Sequence, residues 1–359
     1  MRLRDSAGEA FRNVTTGMTR PVTLIVMLSC VILACAGLDM RQVWGIEQQA
    51  DAYRSSLSNA YFIKAEGQVD PRSCGSMRSG SAVQGAGALR KVDPLRFALA
   101  QNSPVNTYEV SPGFIDIVTG GTGSRGSGGG IWLSQNVAAK FGLSAGSLIE
   151  TTTGRMRVAG VYPWQEDGRD TRLGYAALVE TLETGTFDEC WVALWPPHDV
   201  SMSLRRALVF SSQSSDAQVA QVNYTQGERF DPNTAFLTRV TRPLLLVPLP
   251  LCFITVFAFC RRRRLESAGC LHAGEPKASM VLRLLMEYGF CVLVAMLVAV
   301  PPVVIVSCLT AGRKGAGGLL VVSLLPVLYF ALLGVVAGAL AGAVSIREKA
   351  LFRSFKQRD

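Results

Sequence analysis

Apolar positions in this chain gather in four long uncharged runs separated by polar stretches. Residues 21–38 lie between Arg20 and Asp39, and residues 243–260 lie between Arg242 and a block of arginines at 261–264. Residues 288–312 carry Pro301 and Pro302, which predict a kink because proline removes a helical hydrogen bond. Residues 315–346 exceed the roughly 20 residues that a bilayer core requires, so this segment must tilt or extend past the core. The pattern predicts transmembrane helices at 21–38, 243–260, 284–312 and 315–346.

Between the first and second runs the period changes. VNTYEVSPGFIDIVTG, from Val105, contains a strand by its alternation, and GGGIWLS leads into another. In QNVAAKFGL (135–143), Val137, Ala138, Phe141 and Leu143 share one helical stripe, with a stop near Gly142 and Gly146. SLIETTTGRMRVAGVYPW (147–164) reads as a hairpin turning at Thr153 and Gly154, ECWVALW (189–195) as a strand, and 201–210 as a helix. The predicted fold is a four-helix membrane protein with a large mixed α/β (α+β) domain, residues 39–242, inserted between helices 1 and 2.

Composition sharpens this picture. Only 18% of the 359 residues are charged, and mean hydropathy is +0.27, which disfavours a wholly soluble chain. The net charge of +9 would suit nucleic acid, but the cations flank apolar runs, so topology accounts for them and nucleic acid is not an expected partner. Arg2, Arg4, Arg12 and Arg20, then the 261–264 block with Lys277 and Arg283, then Arg347, Lys349, Arg353, Lys356 and Arg358 all fall on one side of a four-helix chain. Positive charge marks the cytoplasmic side, so both termini are expected inside and residues 39–242 outside. The pair Arg313 and Lys314 is the local exception. The first run reads as an uncleaved anchor. ILAC (32–35) loosely resembles a lipoprotein cleavage site, but Leu33 fits it poorly and the segment before the run is long for a signal peptide.

Six of the nine cysteines, 30, 35, 252, 260, 291 and 308, lie in or at the edges of the runs, and Cys270 falls in the 261–283 loop. Cys74 and Cys190 alone fall in the domain expected outside, where an isolated pair is a disulfide candidate. The alternative is two separate buried thiols. A metal site lacks partners there, since His198 is the only histidine of that domain. GGTGSRGSGGG (120–130) has no GK[ST] ending and precedes a strand, so it reads as a surface loop rather than a phosphate cradle. His198 and Asp199 sit beside two prolines with no nucleophile motif, and read as loop residues. No catalytic, metal-binding or cofactor-binding residue is expected.

The order of one anchor, a large insert and three clustered spans resembles the FtsX-like/MacB-type permease family, the membrane subunits of mechanotransmitting ABC systems. Three stretches carry the resemblance. GEAFRNVTTGMTRPVTLIVML, from Gly8, looks like the family's amphipathic lead-in helix, with Ala10, Phe11 and Val14 toward the membrane and Arg12 and Arg20 among headgroups. IWLSQNVAAKFGLSAGSLIETTTGRMRVAGVYP resembles its strand, helix, glycine turn and hairpin ending in a GV dipeptide, here Gly160 and Val161. The third is RRRRLESAGCLHAGEPKASM (261–280), where Arg264 and Glu266 are followed by Gly274 eight residues on and Glu287 thirteen further. Leu271 stands where the family commonly has a basic residue, and Glu275-Pro276 also departs from its pattern.

The resemblance implies a coupling element for an ATPase at Arg264, Glu266, Gly274 and Glu287. Physically, Gly274 and Pro276 break the loop into short helices, and the arginine block pins its end to anionic membrane lipid. Glu287 enters the third span, where an acid is costly unless paired, and Arg283 at i−4 is its nearest candidate partner. The plain alternative is a stop signal followed by a solvated loop. Gly334, Gly338 and Gly342 line one face of the fourth helix and suit close packing, either inside the chain or at a dimer seam.

No Walker A lysine motif occurs, so the chain is not expected to be an enzyme, and ATP hydrolysis is assigned to a separate cytoplasmic ABC ATPase. The resemblance further implies a homodimer in the cell membrane of a bacterium, with an adaptor or hydrolase as an outside partner. Substrate export is the favoured outcome, on the size of the insert. The alternatives are a signalling or cell-division module that activates a cell-wall hydrolase without cargo, and a membrane-anchored sensor or enzyme with no ATPase. Residues 1–20 are the lead-in helix, 261–283 the coupling loop and 347–359 a cytoplasmic tail.

Overall fold

The computed structural model describes residues 3–17, 19–98, 100–121, 130–152, 154–209 and 217–346. Most of the glycine-rich run (122–129), Thr153 of the hairpin turn, Phe210 and the tail 347–359 lie outside the described residues. The chain divides into two compact units, Gln48–Asn233 and the remainder on either side of it in sequence.

Among the described residues, the Gln48–Asn233 unit is built on a nine-stranded sheet. Its strands are β1 (Ala60–Val69), β2 (Val83–Phe97), β3 (Ala100–Val110), β4 (Ile131–Ser134), β5 (Leu148–Thr151), β6 (Gly154–Tyr162), β7 (Ala176–Glu180), β8 (Phe187–Leu194) and β9 (Val219–Gln221). They run in the order β3-β7-β4-β6-β5-β2-β8-β1-β9. The long β2 pairs antiparallel with β8 through residues 83–89 and with β3 through residues 89–97. That second pairing closes β2, β3, β7, β4, β6 and β5 into a ring, with β8, β1 and β9 extending from it. The expected hairpin is β5 and β6, paired from Leu148↔Arg157 to Thr151↔Gly154.

Strand β8 is almost wholly buried, which explains its apolar run from Cys190 to Leu194. Its Trp191 is fully buried, stacks on Phe62 and meets Phe114 edge-on, each at 5.4 Å between ring centres. Short helices dress the sheet: α3 (Pro71–Ser76), α4 (Phe114–Thr119), α5 (Gln135–Phe141) and α6 (Ser201–Arg206). Helix α5 starts on the Ser134 side chain, which accepts from Val137 N, and stops at Gly142. Cys74 of α3 and Cys190 of β8 form a disulfide with Cα atoms 5.8 Å apart. The predicted 201–210 helix ends at Arg206.

The second unit is helical, and among the described residues four helices are long and apolar enough to cross a bilayer: Pro21–Ser55, whose last turns fall in the Gln48–Asn233 unit, Arg242–Arg262, Lys277–Gly312 and Gly315–Ser345. The lead-in helix α1 is Leu3–Thr15. Helix α2 (Pro21–Ser55) continues well past Leu38. It does so because Asp39 is buried rather than left at a polar boundary: Arg239 Nε donates to Asp39 Oδ1 at 2.9 Å and Thr241 Oγ1 at 2.5 Å. Helix α7 (Pro232–Leu237) precedes that arginine, and α8 (Pro248–Arg262) follows.

After α9 (Arg264–His272), α10 begins at Lys277, ahead of the expected start at 284. Helical dihedrals run through Pro301 and Pro302, whose fixed φ suits a helix, and the break falls instead at Gly312, where φ is 65°. Helix α11 (Gly315–Ser345) then includes a π-helical turn at Leu320–Leu324.

Gly334, Gly338 and Gly342 face α8. A Cβ added at Gly334 would lie 2.4 Å from the Leu249 carbonyl oxygen, and one at Gly338 would lie 2.7 Å from that of Phe253. The stripe therefore serves packing within the chain. Gly338→Leu is expected to destabilise the detergent-extracted protein by about 1–3 kcal/mol through overpacking. Thermal unfolding of the variant checks this, and an unchanged midpoint would remove the close α8–α11 contact.

Candidate functional site

The loop between α8 and α10 gathers several buried or part-buried charges, Arg263, Glu275, Arg283 and Glu287 among them. Its hub is Arg263, at the joint between α8 and α9, where φ −93° and ψ 12° depart from the helix and swing the side chain inward. Arg263 Nε and Nη2 donate to the two Glu266 oxygens at 3.0 and 2.8 Å. Its Nη1 donates to Glu287 Oε2 at 2.6 Å. Glu287 is fully buried, and its other oxygen accepts from Asn13 Nδ2 at 2.6 Å. One guanidinium thus joins α9 to α10, and one carboxylate joins α10 to α1.

A parallel rung lies one turn away. Arg283 meets Glu9 of α1 at 3.7 Å and Glu275 at 3.4 Å, and approaches the Cys270 sulfur at 3.9 Å. Glu9 and Asn13 are one helical turn apart, as are Arg283 and Glu287, so α1 docks on α10 in register. Ala10 is buried in the protein rather than facing the membrane as expected, while Phe11 stays exposed. Partner choice also differs from the i−4 expectation. Glu287 is held by Arg263 and Asn13, and Arg283 turns to Glu275 and Glu9, because the α8–α9 joint puts a cation directly across from Glu287.

Of the residues implied by the resemblance, Glu266 and Glu287 are brought together through Arg263. Arg264 is exposed and is not among the groups that meet them. Gly274 closes α9 with φ 94°, a left-handed conformation that other residues adopt only with strain. Arg263 was hidden among four consecutive arginines, and only the break in α8 distinguishes it. Asp39 with Arg239 was likewise missed, although an acid ending one apolar run and an arginine just before the next was a usable signal. His198 is exposed, its Nδ1 3.2 Å from the Pro196 carbonyl oxygen. Among the described residues no group of three or more His, Cys, Asp and Glu side chains could hold a metal ion.

The Arg263 hydrogen bonds hold the Glu266 carboxyl below its ordinary pKa, against a smaller opposing effect of burial. A carboxylate with a lowered folded pKa contributes stability above its unfolded pKa and loses it as pH falls through the folded value. Thermal stability is expected to decline faster below the usual carboxylate range in the native protein than in Glu266→Gln. Parallel pH profiles for the two would show that the Arg263–Glu266 contact contributes nothing.

Among the described residues, four helices of bilayer length and a separate sheet-bearing unit define the class, a membrane protein with a large α/β domain. No family model matches the chain, and no curated protein matches it. Among solved structures, the periplasmic region of MacB from Actinobacillus actinomycetemcomitans is similar at 10% identity, over 49% of this chain and 94% of that one, with a TM-score of 0.31. A likeness of that size carries no weight.

Proposed function

We propose that this chain is a non-catalytic membrane subunit of an ABC-type system, which relays motion made by a separate cytoplasmic ATPase to the sheet-bearing unit. The observation that carries this reading is the Arg263 hub. A push on α9 reaches Glu287 on α10 and, through it, Asn13 on the lead-in helix, by charge-assisted hydrogen bonds of 2.6–3.0 Å. A solvated stop-signal loop has no need of a buried carboxylate held from two other elements.

The arginine distribution supports a topology with the α8–α10 loop and both termini in the cytoplasm and the sheet-bearing unit outside. The resemblance of residues 261–280 and Glu287 to the permease pattern supplies the ATPase as partner, a bacterial cell membrane as location and a homodimer as assembly. Export or extrusion of a substrate is the outcome proposed for the relay. Activation of a cell-wall hydrolase without cargo is the second reading, and it shares the same coupling step.

The test is ATPase stimulation in the reconstituted complex. Gly274→Val strains the end of α9 by about 1–3 kcal/mol without filling any occupied space, and Glu266→Lys reverses the charge facing Arg263. Both are expected to uncouple ATPase activity while the helices stay folded by circular dichroism. If folded variants assemble and stimulate ATPase like the native chain, the coupling role is wrong.

A further inference from the structure

The helical unit carries an apolar groove of about 370 Å³ between α2 and α10, walled by Leu33, Gly37 and Met40 on one side and Pro302 and Val306 on the other. Gly37 leaves it open, since a Cβ there would meet nothing within 4 Å. At the first-span turn nearer the amino terminus, Ser29 Oγ donates to the Ala295 carbonyl at 3.2 Å and pins α2 to α10. At the opposite end the lining becomes polar, with Arg41, Trp44 and Thr310.

The spacing of these groups matches one leaflet. From Leu33 to Trp44 a helix rises about 16 Å, roughly half of a hydrocarbon core about 30 Å thick. Tryptophan and arginine at the end of a span occupy the interface, where an indole and a cation meet headgroups. Arg41 is exposed and has no ion-pair partner among the described residues. The neighbouring acid, Asp39, is buried against Arg239 and Thr241. The groove therefore offers an apolar slot leading to one uncompensated cation.

We infer that this groove seats an acyl chain of an anionic phospholipid from the adjoining bilayer leaflet, with the lipid phosphate on Arg41. The contact is separate from the α8–α10 loop and does not depend on an ATPase. A zwitterionic lipid fills the slot equally well with its chain but brings a headgroup of no net charge, so selectivity for anionic lipid comes from Arg41.

Trp44 supplies the readout, because the other four tryptophans, 132, 164, 191 and 195, lie in the Gln48–Asn233 unit. The full-length protein is reconstituted in phosphatidylcholine bilayers containing a fixed fraction of brominated phosphatidylglycerol or brominated phosphatidylcholine. Bromine quenches the tryptophan its chain touches, and Trp44→Phe defines the signal. Quenching should report about fivefold enrichment of the anionic lipid, the equivalent of about 1 kcal/mol for one cation beside a headgroup. Arg41→Gln should bring the two lipids to parity, and Gly37→Leu should reduce quenching by the anionic lipid by filling the slot. Equal quenching by both lipids in the native protein, or a preference that survives Arg41→Gln, overturns the inference.

Discussion

Arg263→Met is expected to destabilise the detergent-extracted protein by about 3–5 kcal/mol, because it leaves the Glu287 carboxylate buried without its cation. Glu287 has no exposed surface, and Asn13 alone would remain to hold it. The double variant Arg263→Met with Glu287→Leu should recover much of that loss, since removing both charges removes the desolvation cost as well. Unfolding curves for the single and double variants give the coupling energy directly. The two outcomes separate stability from function: the double variant is expected to fold yet fail to transmit, because the Arg263 link from α9 to Glu287 is gone. Equal stability of Arg263→Met and the native chain would show that the buried pair contributes nothing.

The second large effect concerns the disulfide. Cys74 and Cys190 are 116 residues apart in sequence, and closing a loop of about 100 residues is worth about 4.7 kcal/mol in the chain-entropy model. For a unit of this size that corresponds to a fall of roughly 10–20 °C in the unfolding midpoint of the sheet-bearing unit. The paired variant Cys74→Ala with Cys190→Ala, followed by tryptophan fluorescence, measures it. Trp191 adjoins Cys190 and is fully buried, so its emission reports this core. A reducing agent should lower the native midpoint and leave that of the variant unchanged.

The helices were legible in the sequence because uncharged runs of that length have few other homes. Strands β4 and β8 were legible for the same kind of reason, being short, apolar and buried. The strands β1 and β2 were not. Lys64 and Glu66 interrupt the first, while Gly85, Gly87, Lys91, Asp93 and Pro94 erase alternation in the second. Pro94 sits where the β2–β3 register shifts between Val92 and Leu95, so an apparent strand breaker marks an irregularity inside a strand. The ring also needs β3 beside β7 and β2 beside β5, pairings between strands far apart in sequence that no local pattern encodes.

The candidate site divides in the same way. The resemblance to the permease pattern singled out Arg264, Glu266, Gly274 and Glu287, and the helix-breaking glycine and the acid inside a span are also visible as local departures. It could not choose among four adjacent arginines, since only the bend at the α8–α9 joint turns Arg263 inward while Arg264 stays exposed. The partnership of Asn13 with Glu287 was invisible, because an asparagine in an amphipathic helix has no distinguishing pattern and its partner lies 274 residues away.

If the α8–α10 loop is a handle for another protein, mild-detergent extraction of the full chain from its native membrane, followed by quantitation of co-purifying polypeptides, should show it. A cytoplasmic ABC ATPase is expected in equal amount to this chain and is expected to be lost when Glu266 is changed to Lys. Isolation of the folded chain with no ATPase under mild extraction would contradict it.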